Sequence, residues 1–149
     1  MPTLLMLRGL PASGKTTYTK VILSANPLSD PEWREWRRVN KDEIRERLFG
    51  PDYEWSRDIE KATIAEEDRL IVELLGLGFN VIVDDTNLTD HHEERCRRIA
   101  ASMKAEFKIK DFNESIDECI ARDALRDGRA KVGEKAIRAL TAKRKKSDD

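Results

Sequence analysis

The sequence is poor in cysteine: Cys96 and Cys119 stand far apart and in no metal-ligand spacing. A disulfide framework and a cysteine-rich zinc module are thereby excluded, and both positions read as ordinary reduced thiols in helical segments. Histidine is just as scarce. His91 and His92 are adjacent, and adjacent residues do not share a helix face, so they do not make a metal pair. Neither sign of charge dominates, since 28 Lys plus Arg stand against 29 Asp plus Glu for a net charge of −1. That balance excludes a globally basic nucleic-acid-binding field and leaves only a local one. Long apolar runs are missing, which predicts no membrane span. The chain enters a strand at once, without a charged segment ahead of an apolar one, so a cytoplasmic protein is expected. Repeats and low-complexity stretches are absent ahead of the charged C-terminal end.

What remains is a chain of 149 residues, 39% hydrophobic and 38% charged. That suffices for one apolar core and leaves nothing for a second domain, so residues 1–149 read as a single domain whose charged tail frays from about 143. Leu4 to Leu7 reads as a fully buried strand. Gly9 to Gly14 is a turn, and Lys15 to Ala25 a helix stopped near Asn26-Pro27. The stretch from Leu28 to Arg37, with Pro31, Trp33 and Trp36, reads as irregular. Trp36 to Val39 predicts a short strand, and Asp42 to Phe49 a helix broken by Gly50-Pro51. A long helix is expected over Ile59 to Leu77, with Ile64, Leu70, Ile71, Leu74 and Leu75 as its apolar stripe and a glycine at its end. Val81 to Val83 is a second buried strand and runs into Asp84-Asp85. Then come a helix over His91 to Met103, a strand over Glu106 to Phe112 and a helix over Ile116 to Arg126. A basic loop over Asp127 to Gly133 and a helix over Glu134 to Lys145 complete the chain. Alternating strands and helices predict an α/β fold, a mostly parallel sheet of about four strands with helices on both faces.

The chemistry starts at Gly9-Leu10-Pro11-Ala12-Ser13-Gly14-Lys15-Thr16, a complete match to G-x-x-x-x-G-K-[ST]. It follows a buried strand and opens a helix, the context that this motif requires. Its glycines let the backbone curl so that successive N–H groups point inward at a phosphate chain. The helix behind it presents a partial positive charge to the same anion. Gly9, Pro11, Ala12, Ser13, Gly14, Lys15, Thr16 and Thr17 are therefore the expected nucleotide contacts. Lys15 reaches the β- and γ-phosphates, and the Thr16 hydroxyl is placed to ligate Mg²⁺. Ala12 is tolerable in the loop if its φ is negative.

Carboxylates follow. Asp84 and Asp85 end a buried strand, and ligands of open α/β sheets lie beyond such ends, so one of the two is expected at Mg²⁺. Neighbours on a strand point in opposite directions, so both do not share that role. Asp85 or Asn87 can alternatively serve turn or capping chemistry. Asp42 either caps the helix it opens or acts as a base near an attacking hydroxyl. Arg45, three residues on, shares its face and can hold a neighbouring anion. Arg122, Arg126, Arg129 and Lys131 form a basic cluster, with Arg122 and Arg126 four apart on one helix face. Beside a phosphate loop that cluster is a candidate lid, whose guanidinium groups neutralise charge on a moving phosphate.

Together with Gly9–Thr16, the motifs Val-Asn-Lys-Asp-Glu-Ile-Arg (39–45), Val-Asp-Asp-Thr-Asn-Leu (83–88), Cys-Ile-Ala-Arg-Asp-x-x-Arg (119–126) and Lys-Val-Gly (131–133) form an ordered set. In that order they resemble the 5′-kinase domain of bacteriophage-type polynucleotide kinases, within the P-loop kinase superfamily, over nearly the whole chain. The resemblance implies a P-loop kinase fold and transfer of the γ-phosphate of ATP or another NTP, with Mg²⁺, to the 5′-hydroxyl end of DNA or RNA. It implies that Asp42 is the general base, that Arg45 holds the acceptor's phosphate, and that Asp85 stands near the metal with Thr86 and Asn87 on the acceptor side. It also implies that Arg126 contacts the donor phosphates, with Arg122 on the same surface and Val132 facing the acceptor. The loop between Arg126 and Val132 departs from the family by its greater length, and no room is left for a 3′-phosphatase domain. The host cytoplasm is the expected compartment if the source is a phage. Two other readings compete: a small-molecule kinase, and a non-catalytic nucleotide-binding module. A GTPase is disfavoured because Asn40-Lys41-Asp42 lacks the intervening residue of Asn-Lys-x-Asp and comes too early.

Overall fold

Leu4, Leu5, Met6 and Leu7 are all buried because strand β1 (Thr3–Arg8) has neighbours on both edges and helices on both faces. The structure, a computed structural model, describes residues 1–25, 32 and 34–148, without the side chains of 129 and 143–148. After β1 come α1 (Lys15–Leu23), β2 (Trp36–Val39), α2 (Lys41–Phe49), α3 (Arg57–Gly76), β3 (Asn80–Val83), α4 (Asp90–Ser102), β4 (Glu106–Asp111), α5 (Ile116–Ala124) and α6 (Glu134–Asp148). The four strands pair in the order β2-β3-β1-β4, every pair parallel, with Leu4 opposite Val81 and Phe107.

Alternation along the strands divides the core. Leu4, Met6, Val39, Val81 and Val83 point to one face, where Ile71 and Leu75 of α3 and Cys96 and Ala100 of α4 cover them. Leu5, Leu7 and Ile82 point to the other and meet Tyr18 and Ile22 of α1 with Phe112. A third cluster of Leu10, Leu88, Cys119 and Ile137 sets α5 and α6 beyond the sheet. Full burial of a side chain such as Ile71 contributes roughly 2 kcal/mol. Parallel strands put their carboxyl ends on one edge, and Gly9, Asn40 and Asp84 all follow directly from that edge.

Several boundaries move from expectation, each for a local reason. Ser56 accepts from the Ile59 N–H at 3.2 Å and starts α3 earlier, at Arg57. Asn40 accepts from the Glu43 N–H at 3.0 Å and starts α2 at Lys41. α5 stops at Ala124, so Arg126 leaves the helix and does not share a helical face with Arg122. Its cause is Asp123, whose carboxylate turns back to accept the N–H groups of Val132 at 2.8 Å and Gly133 at 2.7 Å. α6 runs to Asp148, past the Lys145 expected as its end. Half of the stretch expected to be irregular, 28–31 and 33, lies outside the described residues, and its last two residues, Trp36 and Arg37, open β2.

Asn87 clasps the two central strands at this edge. It is fully buried with φ +49°, and its Nδ2 donates to Leu7 O at 2.7 Å. Asn87→Ala leaves a buried carbonyl without its donor and puts a Cβ-bearing residue with no compensating amide in the left-handed region. It should lower unfolding free energy by about 2–4 kcal/mol in urea titration, and a loss below about 1 kcal/mol contradicts the clasp.

Candidate active site

The turn from β1 into α1 is built for close approach. A Cβ on Gly9 would stand 2.7 Å from Ser13 Oγ and 2.8 Å from Phe112 Cβ, so no side chain fits there. Gly9 N–H donates to Thr86 O at 3.0 Å, which ties the loop to the segment after β3. Gly14 has φ +107° and caps α1 without a side-chain acceptor, and no acidic residue occupies the first turn. By contrast α2, α3 and α5 carry side-chain caps from Asn40, Ser56 and Ser115. The first N–H groups of α1 are thus left to an anion. Ala12 corrects the expectation of a negative φ: it sits at +64°, in the left-handed region, at a cost of roughly 1–2 kcal/mol.

Lys15 is buried with its Nζ folded into the loop, donating to Gly9 O and Leu10 O, both at 2.7 Å. Burial lowers its pKa to about 8, against the opposing pull of Asp84. Thr16 and Thr17 are exposed.

Asp42 and Arg45, expected on the acceptor side, hang on α2. Asp42 does not cap the helix, because Asn40 does. Its side chain is 77% exposed, with Oδ1 accepting from Arg45 Nη1 at 2.6 Å. Arg45 is in turn forked by Glu60 of α3, from Nε at 2.9 Å and Nη2 at 2.7 Å. Asp84 accepts from Arg38 Nε at 2.7 Å, and Arg38 also pairs with Glu43. Of the two roles weighed for Asp85, the structure shows the capping one. Its Oδ1 accepts the Lys41 N–H, the first amide of α2, at 2.9 Å, and its Oδ2 is buried without a donor.

Two cavities meet at the loop. One, about 580 Å³, brings together Pro11, Ala12, Lys15, Thr16, Arg38, Lys41, Asp42, Arg45, Asp84, Asp85, Thr86, Arg126 and Val132. The other, about 660 Å³, lies on the outer side of α1 and takes in Ser13, Gly14, Thr17, Tyr18, Phe112, Arg122 and Arg126. Arg122 Nη1 donates to Ala12 O, and Arg126 Nη1 to Ala130 O, each at 3.3 Å. Arg122 and Arg126 therefore converge through the loop, not through helical periodicity. Asn87 is not brought to the cavity: it is buried behind the loop as a strand clasp. Gly9 serves by its lack of a side chain. The side chain of Arg129 lies outside the described ones.

Arg38, Glu60 and Glu67 escaped sequence reasoning. Glu67 had a signal, because the buried row of α3 is Thr63, Glu67, Ile71 and Leu75, and a carboxylate in such a row needs a reason. Arg38 and Glu60 had none, since their partners are distant in sequence.

The residues present fit a magnesium nucleotide. The uncapped amides and Lys15 suit phosphates, and Thr16 with the donorless Asp85 suits the cation. Among the described residues no three His, Cys, Asp or Glu side chains converge into a cage.

Comparison with known proteins agrees with this geometry. A protein of Autographa californica nuclear polyhedrosis virus bearing the name bifunctional polynucleotide kinase/RNA ligase is 23% identical over 147 residues, which cover 91% of this chain and 20% of that protein. A chain of the Pnkp1/Rnl/Hen1 RNA repair complex superposes with a TM-score of 0.79 at 25% identity, over 99% of this chain and 45% of its own. The APS kinase CysC of Mycobacterium tuberculosis, in complex with AMPPNP and APS, shares the fold with a TM-score of 0.65 at 18% identity, over 83% of this chain and 69% of its own. This chain thus spans about a fifth of that curated relative and under half of the repair-complex chain. The P-loop kinase fold and the polynucleotide-kinase resemblance drawn from the motifs are both met. No described helix is long and apolar enough to cross a membrane. With residues 4–146 matching the family described as AAA domain, this chain belongs to that family of P-loop proteins.

Proposed function

We propose that this chain is a phosphotransferase that moves the γ-phosphate of ATP or another NTP onto the 5′-hydroxyl end of a polynucleotide, DNA or RNA. One observation carries the reading. Asp42, an uncapping and largely exposed carboxylate held by Arg45, opens onto the same cavity as Lys15 and Thr16. A hydroxyl between them meets a base on one side and a phosphate chain on the other.

Lys15 and the loop amides bind and orient the phosphates. Asp42 takes the proton of the acceptor hydroxyl as the hydroxyl oxygen attacks the γ-phosphorus, while the bond from that phosphorus to the β–γ bridging oxygen breaks and the nucleoside diphosphate leaves. Arg45 leaves part of its pairing with Asp42 and Glu60 to hold an acceptor phosphate. Arg126, at the meeting of the two cavities, faces the charge on the transferring group. Thr16 and Asp85 would hold Mg²⁺, which would supply charge neutralisation on the nucleotide phosphates.

A small alcohol acceptor is the second reading, favoured by charge balance. Lys15, Arg38, Lys41, Arg45 and Arg126 in the acceptor cavity are matched one for one by Asp42, Glu43, Glu46, Asp84 and Asp85. A site so balanced takes few acceptor phosphates. Phosphate transfer from labelled ATP, compared between 5′-hydroxyl oligonucleotides and small alcohols, separates the two. The oligonucleotide is expected to be the better acceptor, and preference for a sugar or nucleoside would overturn the polynucleotide reading.

Asp42→Ala should lower kcat by about 10²–10⁴-fold while nucleotide affinity stays within about twofold, and a near wild-type rate removes Asp42 as the base. Lys15 sets a pH dependence. Its pKa of about 8 means that the ammonium is lost above that pH unless phosphate retains it. Nucleotide affinity should therefore be flat through neutral pH and fall above pH 8, by up to about tenfold per pH unit. Affinity unchanged to pH 9.5 would contradict this assignment.

A further inference from the structure

Aromatic rings in this chain are mostly covered. Arg37 lies over Phe79 at 4.2 Å from the ring centre and Arg97 over Phe107 at 4.7 Å, while Tyr18 and Phe112 pack edge to face. Among the described residues two aromatics are exposed, Phe49 at 40% and Trp55 at 64%. An indole left in water forgoes a large apolar burial, so its position asks for a reason. Both rings flank Arg45. Phe49 closes α2, and the spacing of Asp42, Arg45 and Phe49 sets the three on one helix face. The Cα–Cβ bond of Phe49 tilts back toward the turn that carries Arg45. Trp55 comes from the segment between α2 and α3 and is anchored by its ring N–H: Nε1 donates to Glu60 Oε2 at 3.4 Å. The same oxygen pairs with Arg45, at 2.9 Å from Nε and 2.7 Å from Nη2. The indole thus stands beside the acceptor cavity with its edge tied down and most of its surface in water.

Charge does not explain how a polynucleotide would be held here. The cavity matches its cations with carboxylates, and Glu54 and Asp58 lie close to Trp55 in sequence, so phosphate contacts alone hold a strand weakly. Stacking of bases on aromatic faces is the other source of affinity for a single strand, and it needs neither positive charge nor a given sequence. At 1.5 Å per residue, α2 carries Phe49 roughly 10 Å beyond Asp42. We propose that Trp55 and Phe49 form a stacking platform for the bases next to the 5′ end of a single-stranded acceptor. With the hydroxyl at Asp42 and a phosphate at Arg45, those bases lie against the two rings. The platform rests on the kinase reading and adds to it the nature of the acceptor, a strand recognised by its bases as well as by its terminal hydroxyl.

Two labelled 5′-hydroxyl oligonucleotides of equal length test this, one with natural bases and one abasic at its first few positions. Fluorescence anisotropy with a non-hydrolysable ATP analogue gives Kd, and phosphate transfer gives kcat and KM, for the full chain, Trp55→Leu, Trp55→Phe and Phe49→Leu. Trp55→Leu should weaken the natural strand by about 5–50-fold in Kd and KM, with kcat within about threefold and nucleotide KM within about twofold. Phe49→Leu should weaken it by about 3–10-fold. Trp55→Phe keeps a ring but gives up the bond to Glu60, and should stay within about threefold of wild type. The unaltered chain should bind the abasic strand about as weakly as Trp55→Leu binds the natural one, and Trp55→Leu should not tell the two strands apart. Equal binding of both strands by the unaltered chain overturns the platform, whatever the variants do. So does a Trp55→Phe variant as impaired as Trp55→Leu, which makes Trp55 a support for Glu60 and Arg45 instead. Self-association in sedimentation velocity that Trp55→Leu abolishes, with Kd unchanged, overturns it as well and assigns the face to a second copy. If the chain binds strands through Trp55 and phosphorylates none, the transfer reading fails while the platform stands. If it phosphorylates natural and abasic ends alike, the platform alone falls, and if it binds no strand, both fall.

Discussion

Peptide N–H groups at the start of α1 have no side chain to satisfy them, and the rest of the site is arranged around that deficit. Gly14 offers no acceptor, and the first turn holds no acidic residue. Polyanionic phosphate is the ligand that meets such a set of donors, with the helix dipole acting in the same sense. Keeping the donors convergent requires a rigid support. Gly9 packed without a side chain against Phe112, its tie to Thr86, and Ala12 held in the left-handed region all contribute to that support. Strain at Ala12 persists because its surroundings leave the loop no alternative path.

Among the described side chains, four cations around this loop are already engaged. Lys15 lies on loop carbonyls, Arg38 on Asp84 and Glu43, Arg45 on Asp42 and Glu60, and Arg122 on Ala12 O. Under the proposed function, substrate phosphates would exchange partners with carboxylates and carbonyls instead of meeting free charge. Such exchange keeps the arginines and Asp42 in place before binding and limits the net gain from each contact. It also accounts for how the proposed nucleotide and acceptor could be held by a chain with a net charge of −1.

Much of this was legible in the sequence, for identifiable reasons. Leu4–Leu7 and Val81–Val83 are apolar without alternation, which marks strands buried on both faces, and the glycine motif after the first marks the edge where ligands sit. The site residues near these strand ends, from Lys15 to Asp85, followed from that. Three things were not legible. The positive φ of Ala12 goes with a long-range contact, Arg122 Nη1 donating to Ala12 O at 3.3 Å, that no local preference shows. The end of α5 depends on Asp123 reaching to Val132 and Gly133, an interaction that propensity does not see. Asn87 reads as a substrate contact in the Asp-Thr-Asn run, yet tertiary burial makes it a clasp between β1 and β3. In each case a long-range partner overrode a sound local reading.

Calorimetric titration of magnesium–ATP into the intact, folded chain, with Lys15→Ala alongside, reaches the central claim most directly. Saturable binding at one site, lost or weakened at least about tenfold by Lys15→Ala, is the predicted result. A folded wild-type chain that takes up no magnesium nucleotide, or binds it equally well without Lys15, would contradict the account.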